Sequence, residues 1–245
     1  MNDQDQRDKA NGLLEQLQRS RAFHQDGVVG IEREFSRLRR WQSARLARTH
    51  ADLLHDPRYQ PAAKFFLEEI YGDRDIRQRE QDLTRIVPMM NRILPAGVLR
   101  TAALALELNT LSGELDAEMT QILMTEFPVR DAWDEATYVA AYRYCARYEL
   151  RRYQIDLVEQ LGEDLQKIVQ KPFIHTALKL AKTPARLAGV AELHRFLESG
   201  FHAFRNMNTD AGLFITTITR RERAIIEQIG AGHPTPLELG EALSY

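Results

Sequence analysis

Apolar residues recur at intervals of three and four along almost the whole chain, whereas period-two alternation bounded by turn residues is nearly absent, so the pattern predicts an all-α fold. GVVG at 27–30 is the one β-like fragment and is too short to build a sheet. Leu13, Leu14, Leu17 and Phe23 stripe a first helix over about residues 4–25, and Ile31, Phe35, Leu38, Trp41, Leu46 and Leu53 stripe a second over about 30–55. Gly27 and Gly30 punctuate the junction, which predicts an N-terminal antiparallel helical hairpin. The polar opening MNDQDQRDKANG carries no such stripe and is expected to fray.

Proline and glycine divide the remainder. Pro61 suits a first helical turn and Gly72 a left-handed end, bracketing PAAKFFLEEIY, and a further helix of about 75–94 is expected to kink at Pro88. Pro95 opens the most apolar segment, which Pro128 stops; Asp131 then caps a helix of roughly 132–169 with a bend near Gly162. Pro172 starts a shorter helix, Thr183 and Pro184 supply the cap and first turn of another, and Asn208 to Asp210 cap one that ends before Gly230. A short turn follows Thr235 and Pro236. The sum is nine or ten helices in a single domain covering 1–245, centred on the helices of 95–127 and 132–169, without a fixed-period repeat or a linker rich in Gly, Ser or Pro.

Charge narrows the function classes. A formal net charge of −2 offers no global attraction for phosphate backbones, so nucleic acid is an unlikely partner and a local patch would be needed for it. No apolar run approaches the roughly 20 residues of a membrane span, and no signal-peptide pattern opens the chain, so a cytoplasmic protein without a membrane is expected. Cys145 is the single cysteine, which excludes an intramolecular disulfide and a cysteine-based zinc cluster, and its surroundings carry no catalytic-cysteine motif.

Several constellations could carry chemistry. YVAAYRYCARYELRRYQ places Arg143, Arg147 and Arg151 four apart on one helical stripe beside Tyr138, Tyr142, Tyr144 and Tyr148, and three guanidinium groups in a row can hold a carboxylate or a phosphate. Glu107 and Glu114, with Asp116 and Glu118 nearby, sit on the most apolar helix, where a buried carboxylate needs a cation or takes up a raised pKa. His194, Glu198 and His202 are spaced like metal ligands but fall on a flank predicted to face water; His50, Asp52 and His55 are equally explained by a helix end, and no metal is assigned. The basic run RLRRWQSARLAR, with Arg37, Arg40 and Arg48, fits a helix that solvates one face. No G-x-S-x-G, G-x-G-x-x-G or G-x-x-x-x-G-K-[ST] is present.

FFLEEIYG at 65–72, D-L-x-R-I-V-P at 82–88, L-E-L-N-x-L-S-G-E-L-D at 106–116, R-x-x-Q-I-x-L-V-x-x-L-G at 151–162 and L-x-x-F-L-E-S-G-F-x-A-F-R-x-M at 193–207 together resemble an uncharacterised bacterial family of helical proteins with an FFLE-x-x-YG signature. The likeness spans about residues 30–230 and implies one helical domain, with no activity, cofactor or site residue. The leading expectation is a non-catalytic helical protein that binds a partner or a small anionic ligand, the ligand through Arg143, Arg147, Arg151, Tyr144, Tyr148 and Glu107, with self-association through an apolar helix face. A helical enzyme using buried carboxylates, histidines or a metal is second, and a nucleic-acid-binding module third. Catalytic residues and cofactor are unassigned. Most polar groups are expected to form the wet outer surface of packed helices.

Overall fold

The computed structural model describes residues 3–70, 81–86, 96–128, 133–207 and 210–240, and every regular element among them is helical. In chain order these are α1 (Asp3–Asp26), α2 (Glu32–Thr49), α3 (Ala51–His55), α4 (Gln60–Phe65) running into a π-helical turn (Phe66–Ile70), α5 (Ala96–Thr125), α6 (Glu135–Cys145), α7 (Tyr148–Val169), α8 (Pro172–Leu187), α9 (Ala191–Met207) and α10 (Ala211–Gly230). Residues 81–86 are helical as well. Tyr71, Gly72, Pro88, Pro95, Asp131 and Asn208, on which several sequence expectations rest, lie outside the described residues.

α5 buries Leu99, Leu106, Leu108, Leu111, Leu115, Met119 and Leu123, too many for one stripe, so it needs neighbours on several sides. α1 covers Leu99 and Leu106 with Leu13 and Leu17, while α7 covers Leu108, Leu111 and Leu115 with Leu157, Val158 and Leu161. α10 lies against α7, and a second apolar centre gathers Tyr59, which precedes α4, with Phe201 and Phe204 of α9 and Phe214 of α10. α1 and α2 are joined by the 27–31 turn, where Gly30 takes φ +82°, and they touch through Phe23 and Phe35 with ring centroids 6.5 Å apart. Their shared neighbour is α5, and α1 packs chiefly along it. The helix of α1 also reaches back to Asp3, into the stretch expected to fray.

Three boundaries differ from expectation. The second helix is not continuous to residue 55. It stops at Thr49, and His50, at φ −116° and ψ 29°, separates α2 from α3. The helix expected over 132–169 is two helices: Asp134 caps α6 by accepting from the Thr137 amide at 2.8 Å, and Ala146 breaks the line in the left-handed region at φ 52°. Gly162 is no bend but a contact point, because a Cβ there would lie 2.6 Å from Ile215 Cδ1. Finally, α8 runs through Pro184 and ends where Gly189, at φ +75°, allows the Val190 amide to return to the Ala185 carbonyl at 2.9 Å. The carbonyl that Pro184 leaves without an amide belongs to exposed Leu180, where water can take its place.

Ala146 holds a conformation that costs an L-residue about 1 kcal/mol, so Ala146→Gly is expected to raise stability by about 0.5–1 kcal/mol in urea denaturation. Gly162→Val is expected to destabilise by about 1–3 kcal/mol, because Ile215 must leave its rotamer or α7 must lift from α10.

Candidate ligand-binding site

The apolar stripe of α10 reads Ile215, Ile218, Glu222, Ile225 and Ile229, with a carboxylate at a core position. A buried carboxylate must find partners, and Glu222 finds two on α2 and its end. Arg45 Nη1 donates to both carboxylate oxygens at 2.6 Å, and His50 Nε2 lies 3.0 Å from Oε1. Burial works to raise the Glu222 pKa, but Arg45 and His50 outweigh it and hold the group ionised at about 2. With an ionised acceptor, Nε2 carries the hydrogen of that bond, and Nδ1 is the second ring nitrogen. That Nδ1 is buried without a partner, as is Arg45 Nε.

The adjacent residue on α10 fixes the break in which His50 sits. Arg221 donates to the Thr49 carbonyl at 3.2 Å and to the two Asp52 oxygens at 2.8 and 2.5 Å. The sequence dipeptide Arg221-Glu222 therefore clamps the α2–α3 junction from below, one residue through the backbone and the other through the imidazole.

A cavity of about 90 Å³ opens between these groups. Its polar side is made by Arg45, His50 and Glu222 facing Asp116 of α5, Tyr142 of α6 and Arg151 of α7. Isoleucines of α10, leucines of α2 and α3, and Leu237 of the C-terminal segment form the apolar side. Asp116 accepts from Gln42 Nε2 at 3.0 Å, and Gln154 Nε2 donates to Ser112 Oγ at 2.6 Å. Arg151 is 7% exposed, yet its contacts are all long: Gln154 Oε1 and the Leu115 carbonyl at 3.4 Å, Asp116 Oδ1 at 3.5 Å and Met119 Sδ at 3.9 Å. Its guanidinium lies 5.4 Å from the centre of the Tyr142 ring. Burial opposes the Arg151 charge, but Tyr142 and Asp116 keep its pKa above the ordinary value. Burial also drives the Tyr142 phenol upward, so it stays protonated and can donate.

Of the six residues singled out from sequence, Arg151 alone lines this cavity. The break at Ala146 divides the stripe: Arg143 donates to the carbonyls of Ile229 and His233 at 2.9 Å, and Arg147 pairs with Glu118 at 2.8 Å. Tyr144 is exposed against the edge of Phe127, Tyr148 packs beside Tyr142 and Gly230, and Glu107 accepts from the Tyr153 hydroxyl at 2.6 Å. Glu114 pairs with Arg19. Cys145 is half-buried, and burial followed by Glu118 raises its thiol, so it is not an activated nucleophile.

The histidine spacings do not converge. His194 is buried, not on a wet flank, and its Nε2 lies 2.8 Å from the Leu178 carbonyl, whereas His202 is exposed. His55 turns to the Ala51 carbonyl. Among the described residues no three His, Cys, Asp or Glu side chains are grouped to hold a metal. The basic run of α2 is engaged too, with Arg37 over the Trp133 ring, Arg48 on Glu135 and Arg45 on Glu222.

Gln42, Arg45, Gln154, Arg221 and Glu222 were not anticipated. Their signal was a polar residue at an apolar position, as in Leu38-Gln42-Leu46 and the α10 stripe, and not a motif. Residues 20–236 match the family described as "Domain of unknown function (DUF8198)", slightly more of the chain than the resemblance had implied. No curated protein and no solved structure matches the chain.

Glu222→Leu leaves Arg45 buried without its counter-ion and is expected to cost about 3–5 kcal/mol, while Arg45→Met with Glu222→Leu recovers most of that loss in urea denaturation. The acid response follows from the depressed carboxylate. Below its ordinary value of 4.5 the unfolded chain binds a proton that the folded chain refuses, so this contribution is full above pH 4.5 and drains away as pH falls toward about 2. The acid limb is therefore expected to be shallower in Glu222→Gln than in the wild type.

Proposed function

We propose, for a chain that belongs to this family of unknown function, that the interior cavity binds a small monocarboxylate, its charged end on Arg151 and its carbon chain on the isoleucine wall of α10. Arg151 carries the reading. Charge-assisted hydrogen bonds to guanidinium are normally about 2.7–2.9 Å long, and a buried cation without them is costly. All polar contacts of Arg151 among the described residues are 3.4 Å or longer, so two short bonds to a carboxylate answer an unmet need. Tyr142 supplies a further donor beside it. Size sets an upper bound: a 150 Å³ cavity accommodates benzene, so a cavity of about 90 Å³ suits a ligand of fewer than about six heavy atoms.

Arg45 and Arg151 offset Glu222 and Asp116, and His50 presents its unpartnered Nδ1 beside them. A histidine oriented by a carboxylate with a free ring nitrogen is also the arrangement of a general base, which favours an enzyme as the second reading. A cytoplasmic setting belongs to the same proposal, supported by the lone cysteine.

In a thermal-shift series from acetate to hexanoate, a short-chain acid at about one hundred times its Kd is expected to stabilise the protein by about 2.7 kcal/mol. Arg151→Met is expected to abolish the shift. Equal shifts in wild type and Arg151→Met exclude the carboxylate reading. Loss of turnover in a His50→Gln protein that still binds identifies the enzyme.

A further inference from the structure

α8 rests on the protein along a narrow seam. Ile174 and Ala185 are buried and Leu178 and Ala181 half-buried, all on one side of the helix. The opposite side carries Phe173, Leu180 and Leu187, which are 51%, 73% and 85% exposed. They are seven residues apart, so they form one line about 21 Å long. Exposed leucines scattered singly need no explanation, but three large apolar side chains on one outward line do. Leu187 joins that line only because the helix continues through Pro184.

The side of α8 between that line and the seam is positive, with Lys179 and Arg186 about 100° round the helix from the line, Lys182 further round and Lys171 at the N-cap. Lys171, Lys179, Lys182 and Arg186 are all exposed, and none makes an ion pair among the described residues. Four of the chain's six lysines fall within 167–182, and there is no Asp or Glu from 165 to 191, although the whole chain carries a net charge of −2. Arg205 of α9 bears on His175 together with Lys179, so the positive edge continues onto the next helix.

We propose that α8 docks on an anionic lipid bilayer, sinking Phe173, Leu180 and Leu187 among the acyl chains while the lysines and Arg186 reach the phosphates. The charge of the edge selects the occupant. An outward apolar line flanked by unpaired lysines with no acid between them complements a surface that is greasy inside and negative at its rim. A bilayer also accepts a convex helix without the matching groove a protein partner needs. A nucleic acid offers the charge but no apolar depth for the three side chains. The contact is peripheral, since no helix among the described residues is long and apolar enough to cross a membrane. The expectation of no membrane rested on the missing span and on the whole-chain charge of −2, which offers no global attraction for an anionic surface; the proposal departs from it on the local charge of α8.

Flotation of the full chain with vesicles tests it. With about one-third phosphatidylglycerol in phosphatidylcholine, the wild type is expected to partition about tenfold more strongly than on phosphatidylcholine alone, and to release at high salt. Leu180→Ser with Leu187→Ser, both at exposed positions, is expected to abolish binding, and Lys179→Glu with Arg186→Glu to remove the preference for anionic lipid. Phe173→Trp supplies a second readout, a blue-shifted emission on anionic vesicles alone. Failure of the wild type to float with anionic vesicles overturns the proposal, as does retention by the Leu180→Ser, Leu187→Ser protein. A dimer in solution that those two serines dissociate, without vesicle binding, assigns the face to a second copy and also overturns it.

Discussion

The buried ion pair between Arg45 and Glu222 is the constraint from which the interior of this protein follows. Neither charge can sit among the isoleucines of α10 alone, so α2 and α10 are held in one register, with Arg45 directly opposite Glu222. Glu222 then has an oxygen to share with His50, and Arg221, one position earlier, occupies the carbonyl that the end of α2 leaves open. The α2–α3 break is thus stabilised from α10 in addition to its own bonds from the His50 amide to Leu46 and from the Leu53 amide to Asp52. An apolar pair at these positions would leave the polar side of the cavity to His50, Asp116, Tyr142 and Arg151.

A second consequence concerns the arginines. Three guanidinium groups four residues apart suggest a single anion cradle on one continuous helix. The left-handed Ala146 sends each to a different partner. Arg143 ties down the end of α10, Arg147 answers Glu118 on α5, and Arg151 is carried inward on α7. Inside, Arg151 faces Asp116 at 3.5 Å and Tyr142 below its plane, a setting that retains the charge without saturating its donors. Arg45 and Arg151 are both buried guanidinium groups, but the first is closed by bonds of 2.6 Å and the second is not. This difference separates a closed ion pair from a guanidinium whose donors are not saturated.

The helices themselves were legible because burial repeats with the helical period. The α5 segment, the α10 boundary at Gly230 and the start of α8 at Pro172 follow from spacing and proline position. The misplaced boundaries are those where a local signal competes with packing. Thr183-Pro184 looks like a start, yet burial of Ala185 and the left-handed Gly189 carry α8 onward. CARY at 145–148 contains no breaker at all, so the division of α6 from α7 is settled by what Arg143 and Arg147 reach across the fold. Of the candidate site, Arg151 was visible as part of a pattern whose other members went elsewhere. Glu222 and Arg45 were hidden because a charge on a helix is usually solvated.

Sequence alone determined that this chain is helical, which faces of its helices are apolar, and that one family-wide pattern spans most of its length. It determined these because helix period and apolar spacing are properties of neighbours three and four residues apart. Only the tertiary structure decided which polar groups turn inward, where α2 and α6 stop, and that Arg45, His50, Arg151 and Glu222 border one cavity. Those outcomes depend on partners outside the local window, 29 residues away for Arg147 and Glu118 and 177 for Arg45 and Glu222, and no local pattern encodes the energy of bringing two such charges together out of water.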